Sequence, residues 1–426
     1  MPDGTATAHL YRPKLLTVVR EGYGADHFRK DVMAALTVAI VALPLSMAFA
    51  IASGVTPERG LYTAIIGGFL VSALGGSRYQ IGGPAGAFIL LVSATVTRFG
   101  LEGLFLTVLM SGVLLTLVGL SRLGSLIRHI PHAVTVGFTA GIAIVILSSQ
   151  LRDLGGLHLS GGEPGPFGPK LMALGAAWRT INPAALAIGL GSAALIFLQR
   201  RFKPNWPGML VAVVLASLLV TLLGLPVETI GTRFGELPHG LPKPGLPAIT
   251  PGLLLTLLPS ALSFTLLGGV ESLLSAKVAD GMTGRKHRAN MELVAQGIAN
   301  IGSALFGGIA VTGTIARTAT NVRAGAKSPL SGMMHALFLL LFLLVAAPLA
   351  AYVPLAALAG VLVVVCWYMV EKNEFGDLLK YWPSALVLLA TFGLTIFHDL
   401  TAGIIAGCLL SALLAVFHRG VAEEGA

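Results

Sequence analysis

Long stretches without a charged side chain divide this sequence into regular units. Twelve runs of at least 18 residues contain no Asp, Glu, Lys or Arg. A helix needs about 20 apolar residues to cross a bilayer, and backbone in lipid must satisfy its own hydrogen bonds. Each run is too long for a barrel strand, so the pattern predicts transmembrane helices. The runs are 32–57, 60–77, 79–97, 103–121, 133–151, 180–199, 204–227, 244–270, 293–316, 328–370, 381–398 and 400–418.

Two details set the number of predicted segments. The run 328–370 is long enough for two passes and is broken near Pro348 and Pro354. A short helix from about 314 to 324 brings the total to about 14 segments. Two stretches rich in Pro and Gly, 152–182 and 224–252, are predicted to be non-helical connections.

Composition agrees with a membrane protein and excludes other classes. Hydrophobic residues make up 55% of the chain and charged residues only 11%, whereas about a quarter of a soluble protein is charged. A water-soluble enzyme and a disordered chain are both excluded. Both cysteines, Cys366 and Cys408, lie in apolar runs, so neither a disulfide framework nor a cysteine-based zinc site is expected.

The charge distribution predicts the orientation. With the N-terminus in the cytosol and 14 alternating spans, 19 Lys and Arg residues fall on the cytosolic side and 7 outside. This bias follows the positive-inside rule. It predicts a multi-pass cell-membrane protein with both termini cytosolic, and it accounts for the net charge of +9 without a nucleic-acid partner.

Two similar stretches suggest an internal repeat. Residues 61–88 and 293–320 each contain a short apolar helix, a Gly-Gly pair, a short extended piece and a glycine-rich entry into another apolar segment. Seven predicted spans separate them, and an odd number of spans inverts the topology. Inverted repeats of interrupted helices are typical of secondary transporters, whose site lies near the membrane midplane.

The repeat predicts where an anion would bind. One half-helix would start near Pro84 and the other near Thr314, so that their N-termini face each other. Each N-terminus carries unpaired N–H donors and a partial positive charge, and two facing ends would cradle an anion. Glycines at four positions would let the backbone approach the ligand, although helix packing alone also explains them: Gly82, Gly83, Gly86 and Gly313.

Three charged residues fall at membrane depth, where a charge is costly and usually functional. Arg317 lies just inside the second half-helix and offers a planar donor fork suited to an oxyanion. Glu271 follows a 27-residue uncharged run and would carry a proton, since burial favours a neutral carboxyl. A structural ion pair between Glu271 and Arg317 is the open alternative. Lys277 is expected to reach the inner surface.

The remaining candidate chemistry is sparse. His335 is interpreted as a packed core histidine, and His129 and His132 lack the further ligands that a metal needs. No HExxH, GxSxG or Walker sequence occurs. We therefore expect neither an enzyme nor a metal or other cofactor.

Several of these stretches resemble the SulP anion transporters, the solute carrier 26 family. The block 271–340 is similar to the signature region of that family, 31–50 and 77–88 to its first and third helices, and 398–407 to its last pair. The resemblance implies an all-α polytopic membrane protein with seven-plus-seven inverted segments, in which half-helices 3 and 10 meet at mid-membrane. It also implies small anion substrates (sulfate, bicarbonate, chloride, oxalate or dicarboxylates) and a homodimer.

The resemblance also implies a division of the chain. A cytosolic segment, 1–30, would precede a transport domain over 31–418, and a short tail would occupy 419–426. Within the transport domain, a core (about 31–122 and 254–351) would move against a gate (about 132–223 and 353–418). A cytosolic STAS domain usually follows the last helix, and the eight residues after His418 are too few to form one.

Carried over by position, the family's substrate site falls on two helix starts and on the first helix. Glu271 matches the family's eighth-helix acid. Leu45 and Phe49 stand where Gln and Tyr are common, which would make the pocket less polar. The implied substrate-binding residues are Gly83, Pro84, Ala85, Gly86, Thr314, Ile315, Ala316, Arg317, Leu45 and Phe49.

The sequence thus predicts a secondary active transporter of small anions, coupled to protons by symport and working by alternating access in the lipid bilayer. Alternatives within the same family are an anion exchanger, an anion channel and a voltage-responsive motor. A nucleobase permease is a more distant alternative, because a second acid is expected on its tenth helix where this chain has Arg317.

Overall fold

The computed structural model describes residues 11–124, 131–159, 164, 166–203, 206–398 and 400–423. Almost all regular structure in these ranges is helical. The first half contains α1 (Lys14–Glu21), α2 (Ala25–Ala52), α3 (Pro57–Tyr62), α4 (Gly68–Leu74), β1 (Gly82–Gly83), α5 (Ile89–Leu120), α6 (His132–Gly155), α7 (Phe167–Ala176), α8 (Pro183–Phe202), α9 (Gly208–Leu223) and α10 (Ile230–Phe234). The second half contains α11 (Pro251–Thr283), α12 (Ala289–Leu305), β2 (Thr312–Gly313), α13 (Ile315–Arg323), α14 (Leu330–Val345), α15 (Leu355–Met369), α16 (Lys372–Leu379), α17 (Trp382–Phe397) and α18 (Leu400–Glu423).

Length and hydropathy make many of these helices suitable for a bilayer. Within the described ranges, six helices are long and apolar enough to cross a membrane, and four shorter apolar helices accompany them. The predicted division of 328–370 is confirmed, because α14 ends at Val345 and α15 begins at Leu355. The short helix expected at about 314–324 is α13, Ile315–Arg323.

Two helices cross the predicted domain limits, which stay predictions. Helix α2 begins at Ala25, so residue 30 lies inside a helix that continues into the apolar run. Helix α18 extends to Glu423, beyond the predicted end of the transport domain at residue 418. Residues 1–10 and 424–426 of the predicted termini lie outside the described residues.

The prediction of two non-helical connections was wrong in part. The first contains α7, and the second contains the short helix α10. Helix α10 starts with a reciprocal cap in which the Thr229 and Thr232 side chains each bond the other residue's backbone N–H. Ile230, the first residue of α10, is fully buried. Local capping and one buried apolar contact outweigh the flanking Pro and Gly.

Helix α5 joins two of the predicted segments. Gly100 interrupts it with φ 68° and ψ −173°, a backbone conformation that glycine adopts without a Cβ clash. The two halves correspond to the apolar runs 79–97 and 103–121. The backbone of Gly100 alone therefore separates the two halves of α5, with no loop between them.

The helices pack in two sets. In the first set, α5 packs on α11 and α12. In the same set, α14 packs on α2 and α4, and α13 packs on α11 and α2. In the second set, α15 packs on α6 and α8, and α17 packs on α6 and α18. Helix α2 of the first set contacts α6, α9 and α15 of the second. The two sets therefore meet along α2.

Candidate functional site

Two short extended segments meet in the first set of helices, immediately before two helix starts. Strands β1 and β2 are antiparallel, with Gly82 opposite Gly313 and Gly83 opposite Thr312. A short 3-10 turn, Gly86–Phe88, follows β1 and leads into α5. Helix α13 follows β2. The structure thus brings together two stretches that lie about 230 residues apart in the sequence.

Close backbone approach explains the glycines in these strands. A Cβ on Gly313 would lie 1.6 Å from Gln80 Nε2, and one on Gly82 would lie 2.8 Å from the Val71 side chain. Gln80 Nε2 in turn donates to the carbonyl of Ser272 on α11 at 3.1 Å. Glycine is therefore needed to let the two strands and α11 pack against each other.

Hydroxyl groups hold the junction together. Ser272 Oγ accepts the Gly313 N–H at 3.2 Å and lies 3.0 Å from Thr312 Oγ1. Thr318 Oγ1 accepts the Ile81 N–H at 3.1 Å and a hydrogen bond from Ser275 Oγ at 3.1 Å. Ser272, Ser275 and Thr318 were not among the residues predicted to form the site. The feature of the sequence that could have indicated them is a small hydroxyl side chain within an otherwise apolar helix.

Arg317 lies at the centre of this junction. Its side chain is 2% exposed, and Nη2 donates to the Pro84 carbonyl at 3.3 Å. Nη1 is buried without a hydrogen-bond partner, and a Cβ on Gly83 would lie 2.4 Å from it. Within the described ranges, no carboxylate forms an ion pair with Arg317. A buried cation with a free donor attracts an anion.

Glu271 points elsewhere. It is 9% exposed and lines a small crevice with Val134 and Phe138 of α6 and Ile404 of α18. It therefore sits where α11 of the first set faces the second set. Glu271 and Arg317 form no ion pair among the described residues, so the alternative of a structural ion pair is wrong.

The remaining predicted site residues surround the two helix starts unequally. Phe49 Cε1 lies 3.4 Å from the position of a Cβ on Gly86, next to Ile146 and Met369 of the second set. Leu45 is one helical turn earlier on α2 and is 4% exposed. Ala316 is exposed, whereas Thr314 is buried and Ala85 and Ile315 are half-buried.

Two further residues from the sequence analysis have contrasting surroundings. His335 is fully buried on α14, and neither ring nitrogen has a hydrogen-bond partner. Lys277 is exposed on α11; its reach to the inner membrane surface stays a prediction. His129, considered with His132 as a metal ligand, lies outside the described residues.

A bundle of long apolar helices with a buried, unpaired cation beside two helix starts defines a polytopic membrane protein with a polar site inside its helices. Comparison with known sequences then gives the family. The sulfate permease family matches residues 28–391, and this chain belongs to it.

Named relatives are membrane transporters, not enzymes. The chain is 44% identical to the putative sulfate transporter YvdB of Bacillus subtilis (strain 168), over 92% of this chain and 74% of the relative. It is 33% identical to the bicarbonate transporter BicA of Picosynechococcus sp., over 92% of this chain and 71% of that protein.

Solved structures agree with the fold. The transmembrane domain of a cyanobacterial bicarbonate transporter BicA superposes with a TM-score of 0.81 at 32% identity, covering 90% of this chain and 98% of that domain. Murine Solute Carrier 26 family member A9, in an inward-facing state, superposes with a TM-score of 0.88 at 19% identity, covering 98% of this chain and 73% of that chain. The second similarity concerns the fold alone.

Proposed function

We propose that this protein is a secondary active transporter of small anions of the sulfate, bicarbonate or carboxylate class, working as a proton symporter by alternating access. Relatives named as sulfate and bicarbonate transporters support the substrate class. The observation that carries the proposal is Arg317, a buried cation without a carboxylate partner among the described residues.

The substrate would bind between the two helix starts. The first turn of α13 and the 3-10 turn at Gly86 supply N–H donors and the positive ends of two helix dipoles. Arg317 adds a full charge at the same place. Gly83, Pro84, Ala85 and Thr314 would form the backbone walls, with Ile315 and Ala316 at the open end and Leu45 and Phe49 closing the α2 side.

Movement between two helix sets would expose this site alternately. The first set corresponds to the proposed core, 31–122 and 254–351, and the second to the proposed gate, 132–223 and 353–418. Packing within each set, with contact between them along α2, supports this division. A seven-plus-seven inverted repeat is part of the proposal, supported by the antiparallel pairing of β1 with β2. A homodimer with both termini cytosolic completes it.

Glu271 would couple transport to protons. It lies on the core side and faces α6 and α18 of the gate, so movement of the two sets would change its contact with water. A carboxyl in such a position exchanges a proton when it is hydrated and stays neutral when it is covered.

Uptake into proteoliposomes tests the binding site. Arg317→Ala should reduce the uptake of labelled sulfate and bicarbonate about 100-fold, as expected from the loss of about 3 kcal/mol of charged hydrogen bonding. Lys277→Ala is the matched control, because it removes an exposed cation and should leave uptake unchanged. Uptake at the wild-type rate in Arg317→Ala would rule out this site.

Proton coupling needs its own test. An inward pH gradient should accelerate uptake by the wild-type protein, and Glu271→Gln should remove that acceleration. Glu102→Gln replaces an exposed carboxylate and should respond to the gradient as the wild type does. Uptake that requires an anion on the opposite side of the membrane would instead favour an exchanger. Single-channel currents would favour a channel, and charge movement without uptake would favour a voltage-responsive motor.

A further inference from the structure

A large polar cavity lies on the face of the molecule that carries the N-terminal helix α1. It has a volume of about 440 Å³ and lies between the α1–α2 junction, the segment before β1, the end of α11 and the α13–α14 loop. The charge distribution predicts that this face is cytosolic. The cavity is separate from the proposed transport site, since Arg317 and Glu271 do not line it.

Three cationic side chains line the cavity. Arg78, Arg285 and Lys327 are among the lining residues, and Glu21 is the one carboxylate among the described lining residues. Glu21 is shared, because it accepts from Arg78 Nη2 at 2.5 Å and lies 3.7 Å from Arg285 Nη1. Among the described lining residues, one carboxylate therefore accompanies three cations, and the lining itself carries net positive charge. A further carboxylate, the buried Asp31, accepts from the Tyr23 hydroxyl and the Lys327 N–H.

Arg78 is the most deeply placed of these groups. Its side chain is 8% exposed, and its Nε is buried without a hydrogen-bond partner. A buried guanidinium donor without an acceptor is costly. An anion with several oxygens, bound in the cavity, would add negative charge beside the Arg78 guanidinium while pairing with Arg285 and Lys327.

The surroundings add to the positive potential. Burial lowers the pKa of Lys14, and repulsion from Arg288 and Arg78 lowers it further. The pKa of Arg288 is lowered by burial and then by Arg12 and Arg78. Arg78, which lines the cavity, is close enough to Lys14 and Arg288 for repulsion, while Glu21 offsets part of this charge. The field beside Arg78 therefore favours an anion.

We propose that this cavity binds a phosphate-bearing anion, either a free phosphate compound or the headgroup of an anionic lipid, at the cations Arg78, Arg285 and Lys327. A tetrahedral phosphate group offers three or more acceptor oxygens, which matches guanidinium and ammonium donors. Occupation would tie α1 to the end of α11 and to the α13–α14 loop, since all three border the cavity.

Titration calorimetry on the detergent-solubilised full chain at low ionic strength tests the proposal. The probes are inorganic phosphate, dioctanoyl phosphatidic acid and dioctanoylglycerol. The wild type should bind one or both phosphate probes saturably and should not bind dioctanoylglycerol. Binding of inorganic phosphate would identify a free compound as sufficient, whereas binding of phosphatidic acid alone would identify a lipid headgroup.

Matched variants locate the binding. The double variant Arg285→Gln/Lys327→Gln should weaken the affinity for the phosphate probe at least about tenfold. The control Arg29→Gln/Lys286→Gln removes two exposed cations that do not line the cavity and should change it less than about twofold. Arg78 is kept, because it also pairs with Glu21 and its loss would disturb α1.

The Arg317→Ala variant separates this site from the transport site, because it should retain the affinity. Absence of binding by the wild type, equal weakening in both double variants, or loss of binding only in Arg317→Ala would overturn the proposal. None of these outcomes depends on whether the protein transports anions.

Discussion

At the scale of single residues, the proposed site depends on one contact between a glycine and a cation. The guanidinium of Arg317 lies against the backbone of Gly83 and Pro84, which a side chain at Gly83 would not permit. The atom that a Cβ would meet is the far end of a flexible side chain. The contact therefore sets the position of the charge more than the stability of the fold.

This contact gives the first prediction. Gly83→Ala should displace Arg317 and reduce anion uptake about tenfold or more, since small misplacement of a binding group is costly. The thermal unfolding midpoint in detergent should change little. Gly393→Ala is the control, because a Cβ there meets nothing within 4 Å. Uptake at the wild-type rate with unchanged stability would show that the position of Arg317 is unimportant.

At the scale of elements, one buried carboxylate anchors the start of α2. Asp31 is fully buried and accepts hydrogen bonds from the backbone N–H groups of Lys327 and Ser328 at 2.6 and 3.1 Å. Its other oxygen accepts from Ser328 Oγ at 2.5 Å and from Tyr23 Oη at 2.7 Å. The loop before α14 is thereby held to the first predicted span.

Removal of this anchor is the second prediction. Asp31→Ala should destabilise the protein by about 3 kcal/mol, because it leaves several buried donors without an acceptor. Asp31→Asn, which keeps one acceptor oxygen, should have an intermediate effect. Thermal unfolding in detergent measures both. Asp26→Ala breaks only an exposed pair with Lys30 and should cost less than about 1 kcal/mol; an equal cost for the two alanine variants would contradict the anchor role.

A second contact between elements depends on pH. Arg233 donates to Asp153 at the end of α6 at 2.8 Å and also to Glu228, while the Glu228 carbonyl accepts from the Leu355 N–H at 3.0 Å. The hydrogen bond from Arg233 holds the pKa of Glu228 below its ordinary value of 4.5. Ionised Glu228 therefore helps to join the segment before α10 to α6.

The sign of this effect gives the third prediction. A carboxyl whose folded-state pKa is depressed contributes stability above its unfolded pKa and loses it as the pH falls through the folded value. Glu228→Gln should lower the unfolding midpoint at pH 7, and the difference from the wild type should shrink below about pH 4. A difference that stays constant down to about pH 3 would show that Glu228 acts without its charge.

At the scale of the whole molecule, access to the junction distinguishes a transport site from a structural core. Ala316 is exposed at the first turn of α13, while Ala87, in the turn that follows β1, is 2% exposed. One helix start is therefore open and the other covered in this conformation. Movement of the second helix set would change both.

Thiol labelling provides the fourth prediction. In a background with Cys366→Ser and Cys408→Ser, Ala316→Cys should react with a membrane-impermeant methanethiosulfonate reagent, and Ala87→Cys should react far more slowly. A transported anion should slow the reaction of Ala316→Cys, because it would occupy the space beside α13. Labelling that no sulfate, bicarbonate or carboxylate affects would argue against substrate binding there.

Much of this organisation was predictable because its cause is local. A charge-free run of 18 or more residues in lipid must satisfy its own hydrogen bonds, so most helical segments and the break between α14 and α15 follow from the sequence. Likewise, a charge inside the membrane is costly, so Glu271 and Arg317 could be predicted from the sequence as functional residues. Their functional roles remain predictions.

Tertiary structure alone decided how these parts meet. The sequence by itself determined the membrane class, the candidate repeat and the charged residues at depth. It could not determine that Gly82 pairs with Gly313, that Arg317 bonds Pro84, or that Glu271 faces α6 instead of Arg317. Such contacts join residues that are far apart in the chain. In lipid, the packing of small residues and hydrogen bonds between helices decide which helix faces become neighbours. A hydrophobic pattern does not distinguish these faces, because the lipid is equally apolar.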